Sequence, residues 1–102
     1  MAVYAVVDTK IKDAEAYEEN KIRAKPIAES YGGEYHARGG TTTVPENELW
    51  TPKRLVIVRF PSRKNAEDFL ASEEYAPVKA IRHKHAETTV AIVDNICLHN
   101  DR

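Results

Sequence analysis

Leu55-Val56-Ile57-Val58-Arg59-Phe60 is an almost unbroken run of β-branched, aliphatic and aromatic residues, closed by Pro61-Ser62. Residues of this kind favour a strand. A strand that alternated apolar and polar residues would have one wet face. This one is apolar at nearly every position, which is the mark of a strand covered on both sides. Upstream of it, Gly39-Gly40 opens a long loop running to Pro52, with Thr41 to Val44 able to continue a strand. Before that loop, Glu34-Tyr35-His36-Ala37-Arg38 reads as a second strand. Further back, Asp13 is placed to cap a helix by accepting its free N–H groups. Tyr17, Ala24, Ala28 and Tyr31 then fall on one helical face. Pro26 should kink this helix or start a new turn, and Gly32-Gly33 should end it. Val3-Tyr4-Ala5-Val6-Val7, closed by Asp8, is a first buried strand.

Downstream, Ser62 is an N-cap candidate for a helix with Ala66, Phe69 and Leu70 on its apolar side. Ser72 to Tyr75 break it, and Ala76-Pro77 suits a new helix start. Thr88-Thr89-Val90-Ala91-Ile92-Val93 is the last strand. The order strand, helix, strand, strand, helix, strand is the split βαβ, ferredoxin-like α+β plan. It predicts a four-stranded antiparallel sheet with helices on one face. Those helices can cover only one side of strands that are apolar on both. A second copy, sheet against sheet, solves the problem, so the sequence predicts a homodimer.

The chain has 102 residues, with 15 Lys and Arg against 16 Asp and Glu, a net charge of −1. That is one domain, expected over residues 1–95, with a polar C-terminal tail at 96–102. Nucleic-acid and anionic-membrane binders need a basic excess, so neither partner is expected. No apolar run approaches the roughly 20 residues that cross a bilayer. The first ten residues enter a strand pattern with no signal-peptide character, and Cys97 stands alone. A cytoplasmic protein without internal disulfides is the expectation.

Several motifs resemble the family labelled domain of unknown function thirteen-thirty. They are Asp13 with Tyr17, Tyr31-Gly32-Gly33-Glu34-Tyr35, Arg38-Gly39-Gly40, Pro52-Lys53-Arg54-Leu55-Val56 and Phe60-Pro61-Ser62, with Ala66, Ser72, Glu74-Tyr75 and Arg82. The resemblance spans about residues 2–95. It implies the dimeric α/β-barrel class of ferredoxin-like folds, in which two sheets meet and pockets form between sheet and helices. Relatives in that class include cofactor-free monooxygenases, isomerases and dehydratases; the family itself brings no established reaction. The chain departs from the family pattern at His36, Arg59 and Asn20, the last standing where a second helix tyrosine is common.

Strict alternation along the second strand puts His36 and Arg38 on one face. Histidine titrates near neutrality and can move a proton, while arginine can hold a carboxylate or enolate oxygen in a two-pronged grip. The bland alternative is a solvated sheet edge. Tyr17 offers a second proton carrier or simply a core ring. Tyr75 and Arg82, seven apart, share a face if one helix spans both. They suit ligand binding; otherwise Arg82 forms a structural ion pair with Glu74 or Asp68. Asn20 joins Arg38, Arg82 and Tyr75 among the ligand-binding candidates, with His36 and Tyr17 as catalytic ones. Trp50 is a pocket lid or, preferably, a dimer contact. His83 and His85 are two apart, which on a helix turns the rings to different sides, so no metal site is expected. No cofactor motif is present, and Gly39-Gly40 is a turn rather than a phosphate loop.

The leading expectation is a pocket that binds or acts on a small anionic or carbonyl-containing molecule. A non-catalytic homodimeric module ranks close behind it. A cofactor-free monooxygenase comes third.

Overall fold

The computed structural model describes residues 1–95. The expected tail at 96–102, with Cys97 and His99, lies outside the described residues. Among the described residues seven elements occur in order: β1 (Val3–Ile11), α1 (Ala14–Ser30), β2 (Glu34–Arg38), β3 (Leu55–Phe60), α2 (Arg63–Ala71), α3 (Ala76–His85) and β4 (Ala86–Asp94). The sheet order is β2-β3-β1-β4, antiparallel throughout. This is the ferredoxin-like α+β plan, with its second helix divided into α2 and α3. No helix among the described residues is long and apolar enough to cross a membrane.

Local chemistry sets the boundaries. Asp13 accepts from the Ala16 N–H at 3.1 Å and starts α1. At its end, Gly33 N–H reaches Ala28 O and Gly32 N–H reaches Glu29 O. That pair of bonds is a Schellman ending. It needs the positive φ of 87° that Gly32 supplies. Ser62 caps α2 through Asn65 N–H at 3.1 Å. Pro26 was expected to interrupt α1, yet the helix runs through it. The carbonyl that Pro26 leaves without a helical donor belongs to Ile22, an exposed residue, so solvent can serve it.

Two strands exceed their expected lengths. β1 continues past Asp8 to Ile11, and β4 begins at Ala86. The two pair along their whole length, from Val3 with Asp94 to Ile11 with Ala86. Residues 39–54 form no helix or strand, so Thr41 to Val44 do not extend β2.

The core sits between the helices and one sheet face. Val3 and Ala5 of β1 and Val58 and Phe60 of β3 meet Ala28, Ala66, Phe69, Tyr75 and Val78. Phe69 stacks on Phe60 with centroids 5.6 Å apart and tilts against Tyr75 at 4.4 Å. By the pairing register, Tyr4, Val6, Leu55, Ile57, Ala91 and Val93 point from the other face. Among the described residues no helix covers that face, and Val93 is 51% exposed.

Candidate functional site

A cavity of about 70 Å³ lies between the helices and the core face of the sheet. Val7, Val56, Val58, Phe60, Leu70 and Val90 give it apolar walls. Its polar groups come from three directions: Tyr17, Asn20 and Lys21 on α1, Tyr75 and Arg82 at the two ends of α3, and Thr9, Arg38 and Arg54 from the sheet side. Five sequence candidates therefore meet at one cavity: Tyr17, Asn20, Arg38, Tyr75 and Arg82.

Arg82 is the chemically unusual member. It is 6% exposed, yet no carboxylate stands within ion-pair distance of it among the described residues. The expected partners are engaged elsewhere: Glu74 accepts from the Tyr31 hydroxyl, and Asp68 pairs with Lys64. Arg82 Nη1 instead donates to the Tyr75 hydroxyl at 3.1 Å, across the seven-residue spacing. Its Nε–H has no acceptor among the described residues. A buried charge is ordinarily paired, because leaving water is costly. Thr9 also lines the cavity, its Oγ1 without a partner among the described residues, and is 1% exposed. Asn20 is held in place by its Nδ2–H, which donates to Val78 O at 2.8 Å.

Burial pushes the Tyr75 phenol above its ordinary pKa, with Arg82 pulling the other way. Tyr35 shows the same balance of burial against the charge of Arg38. Both rings stay neutral over the physiological range. Because Tyr75 accepts from Arg82, its own O–H remains able to donate to a ligand.

Strict alternation fails in β2. Tyr35 pairs with Val58 and Ala37 pairs with Ile57, so two β2 residues, His36 and Ala37, occupy the space of one. This bulge reverses the facing of the strand beyond it. His36 and Arg38 therefore lie on opposite faces of the sheet, contrary to the expectation. Arg38 stands on the helix side, with its guanidinium 4.8 Å from the Tyr35 ring centre and donating to Lys21 O. His36 points to the uncovered face, 2.7 Å from Glu34 Oε1 and edge-on to Tyr4 at 5.7 Å. It does not line the cavity.

Trp50 also lies on the uncovered face, beside Val6, Asp8, Thr89 and Ala91, and is no lid for the cavity. Its Nε1–H donates to Asp8 Oδ2 at 2.7 Å, while Lys53 and Arg54 N–H donate to Asp8 Oδ1. Partial burial pushes the Asp8 carboxyl upward, but these hydrogen bonds and the Lys53 charge outweigh it and hold the pKa below its ordinary value.

The sequence pattern alone does not single out Arg54, Lys21 or Thr9 as site residues. Arg54 has a signal, since it sits in the Pro52-to-Val56 motif. Thr9 has a fainter one: it continues the series Val3, Ala5, Val7 at a spacing of two, as a polar residue on an apolar face.

The fold and this sheet–helix cavity place the chain among ferredoxin-like α+β proteins. Its sequence matches the family profile "Domain of unknown function (DUF1330)" over residues 2–96, and the chain belongs to that family. No curated protein sequence matches it at a significant level. Among solved structures it is similar to a protein of unknown function from Rhodopseudomonas palustris, at 14% identity and a TM-score of 0.74, covering 94% of this chain and 83% of that one. A dimeric ferredoxin-like protein of unknown function from Jannaschia sp. CCS1 matches at 10% identity and a TM-score of 0.74, over 93% of this chain and 100% of that one. SnoaB, a cofactor-independent oxygenase from Streptomyces nogalater, matches at 9% identity and a TM-score of 0.66, over 98% of both chains. At these identities the likeness is one of fold.

Proposed function

We propose that the cavity binds a small molecule bearing a carboxylate, enolate or polarised carbonyl, with Arg82 as the interior anchor. The observation that carries this reading is the buried Arg82 guanidinium, which has no carboxylate partner and one N–H without an acceptor among the described residues. An anionic oxygen there would satisfy both its charge and its hydrogen bond. Tyr75 donates a second hydrogen bond, and Asn20 and Tyr17 flank the ligand. Tyr17 and Tyr75 are the hydroxyls that can give a proton to negative charge developing on the ligand's oxygen. His36, on the other sheet face, has its place in the interface between two copies.

Support for a homodimer comes from the uncovered apolar sheet face and from the likeness to the dimeric Jannaschia protein. A second reading, a cofactor-independent oxygenase, draws on the apolar cavity walls and the likeness to SnoaB. Oxygen uptake with quinol substrates would favour it.

Calorimetric titration with short carboxylic acids and 2-oxo acids tests the main reading. Native protein binds at least one of them in the millimolar range or tighter, and Arg82→Met weakens that affinity by at least about tenfold, the loss expected for one charge-assisted contact. Arg82→Met also folds with a stability within about 1 kcal/mol of native, because it replaces a buried cation that has no carboxylate partner among the described residues with an apolar chain. A stability loss of several kcal/mol with no acid bound by either protein would favour the non-catalytic module.

A further inference from the structure

Lys21, Arg38 and Arg54 line the cavity and also line a surface groove with Glu18 and Ile22. The groove is thus the cavity's mouth, and it is cationic. Glu18 neutralises Lys21, with 3.1 Å between them. Neither Arg38 nor Arg54 has a carboxylate within ion-pair distance among the described residues. The two stand so in a chain whose acids outnumber its bases. Both guanidiniums are nonetheless held. Arg38 lies over Tyr35 and is tied to the Lys21 carbonyl. Arg54 lies against Gly39, where an added Cβ would come within 2.6 Å of its Nε. The glycine, at a φ of 73°, leaves the room that Arg54 fills.

The cavity therefore has cations at two depths. Arg82 is 6% exposed at the inner end, and Arg38 is exposed at the outer end. They stand on separate elements, α3 and β2, and differ in depth, one buried and the other exposed. Two sets of cations at two depths suit two anionic groups. We propose that the ligand is a short dianion, with one anionic group on Arg82 and Tyr75 and a second on the Arg38–Arg54 pair at the mouth. This rests on the anion-site reading above and deepens it to a substrate class.

The test compares α,ω-dicarboxylates, from malonate to adipate, with monocarboxylates of equal carbon number, by calorimetry. At least one dicarboxylate binds about tenfold tighter than its matched monoacid. Its affinity falls more steeply with added salt, since two charge pairs are screened instead of one. Arg54→Gln brings the ratio of the two affinities toward one. Matched mono- and dicarboxylates binding equally well would overturn the dianion proposal and leave the anion site standing. Binding of neither class would overturn both. A ratio untouched by Arg54→Gln would also overturn the assignment of the mouth.

Discussion

The Tyr75–Arg82 pair concentrates the chemistry of this chain. Seven residues apart, a phenol and a guanidinium share one buried bond of 3.1 Å. Burial holds Tyr75 neutral well into the alkaline range despite the cation beside it. That fixes the sign of the pH effect. The folded pKa lies above the unfolded value of about 10. The folded state thus keeps a proton that the unfolded state gives up. Stability from this group is complete below about pH 10 and is lost as pH rises through the folded value. Ultraviolet titration of the phenolates should show Tyr35 and Tyr75 ionising late, together with alkaline unfolding. Tyr75→Phe removes one late phenol and flattens the alkaline loss of stability. All five tyrosines ionising together near pH 10 in folded protein would contradict this. The spacing of seven made the contact legible in the sequence. The lack of a counter-ion among the described residues was not legible, because Glu74 and Asp68 lie within reach by sequence and only the fold commits them elsewhere.

At the scale of elements, strands and helices were legible where composition and caps agreed. β3 matches the run Leu55–Phe60, the cap at Ser62 is made as expected, and the break before Ala76 divides α2 from α3. The longer reach of β1 and β4 was hidden because polar residues such as Asp8, Lys10 and Glu87 interrupt the apolar pattern, while full-length pairing between the two strands carries them along. The β2 bulge was hidden for a different reason. A period-two reading of five residues contains no sign of an extra one, and Gly39-Gly40 points to a turn after the strand. The bulge is nevertheless what aims Arg38 into the cavity and His36 away from it. A bulge is thus a positioning device here. It divides two residues that simple alternation would have made partners.

For the whole molecule, the uncovered sheet face and the cavity are two consequences of one layered design. The helices cover one face and leave the cavity beneath them, while Tyr4, Val6, Ile57 and Val93 remain on the other face with Trp50 strapped beside them by Asp8. Light scattering at micromolar concentration should give twice the chain's mass. Val6→Glu, which puts a charge at the centre of that face, should give the single-chain mass with the fold intact. A monomeric native protein would contradict the proposed sheet-to-sheet dimer. The double-sided apolarity of β3 was the part of this arrangement that the sequence made visible. The inner cation was not, since nothing in a linear reading separates a buried arginine from a solvated one.

Reception of an anion by Arg82 inside the cavity is the claim on which the rest depends. Nitrogen-edited NMR of the Arg82 Nε–H resonance during titration with a short carboxylate tests it most directly. The resonance should shift saturably with the acid, to lower field as the hydrogen bond forms, and should not respond to an equal concentration of chloride. A resonance that stays in place while the acid binds elsewhere, or that moves equally with chloride, would contradict the account.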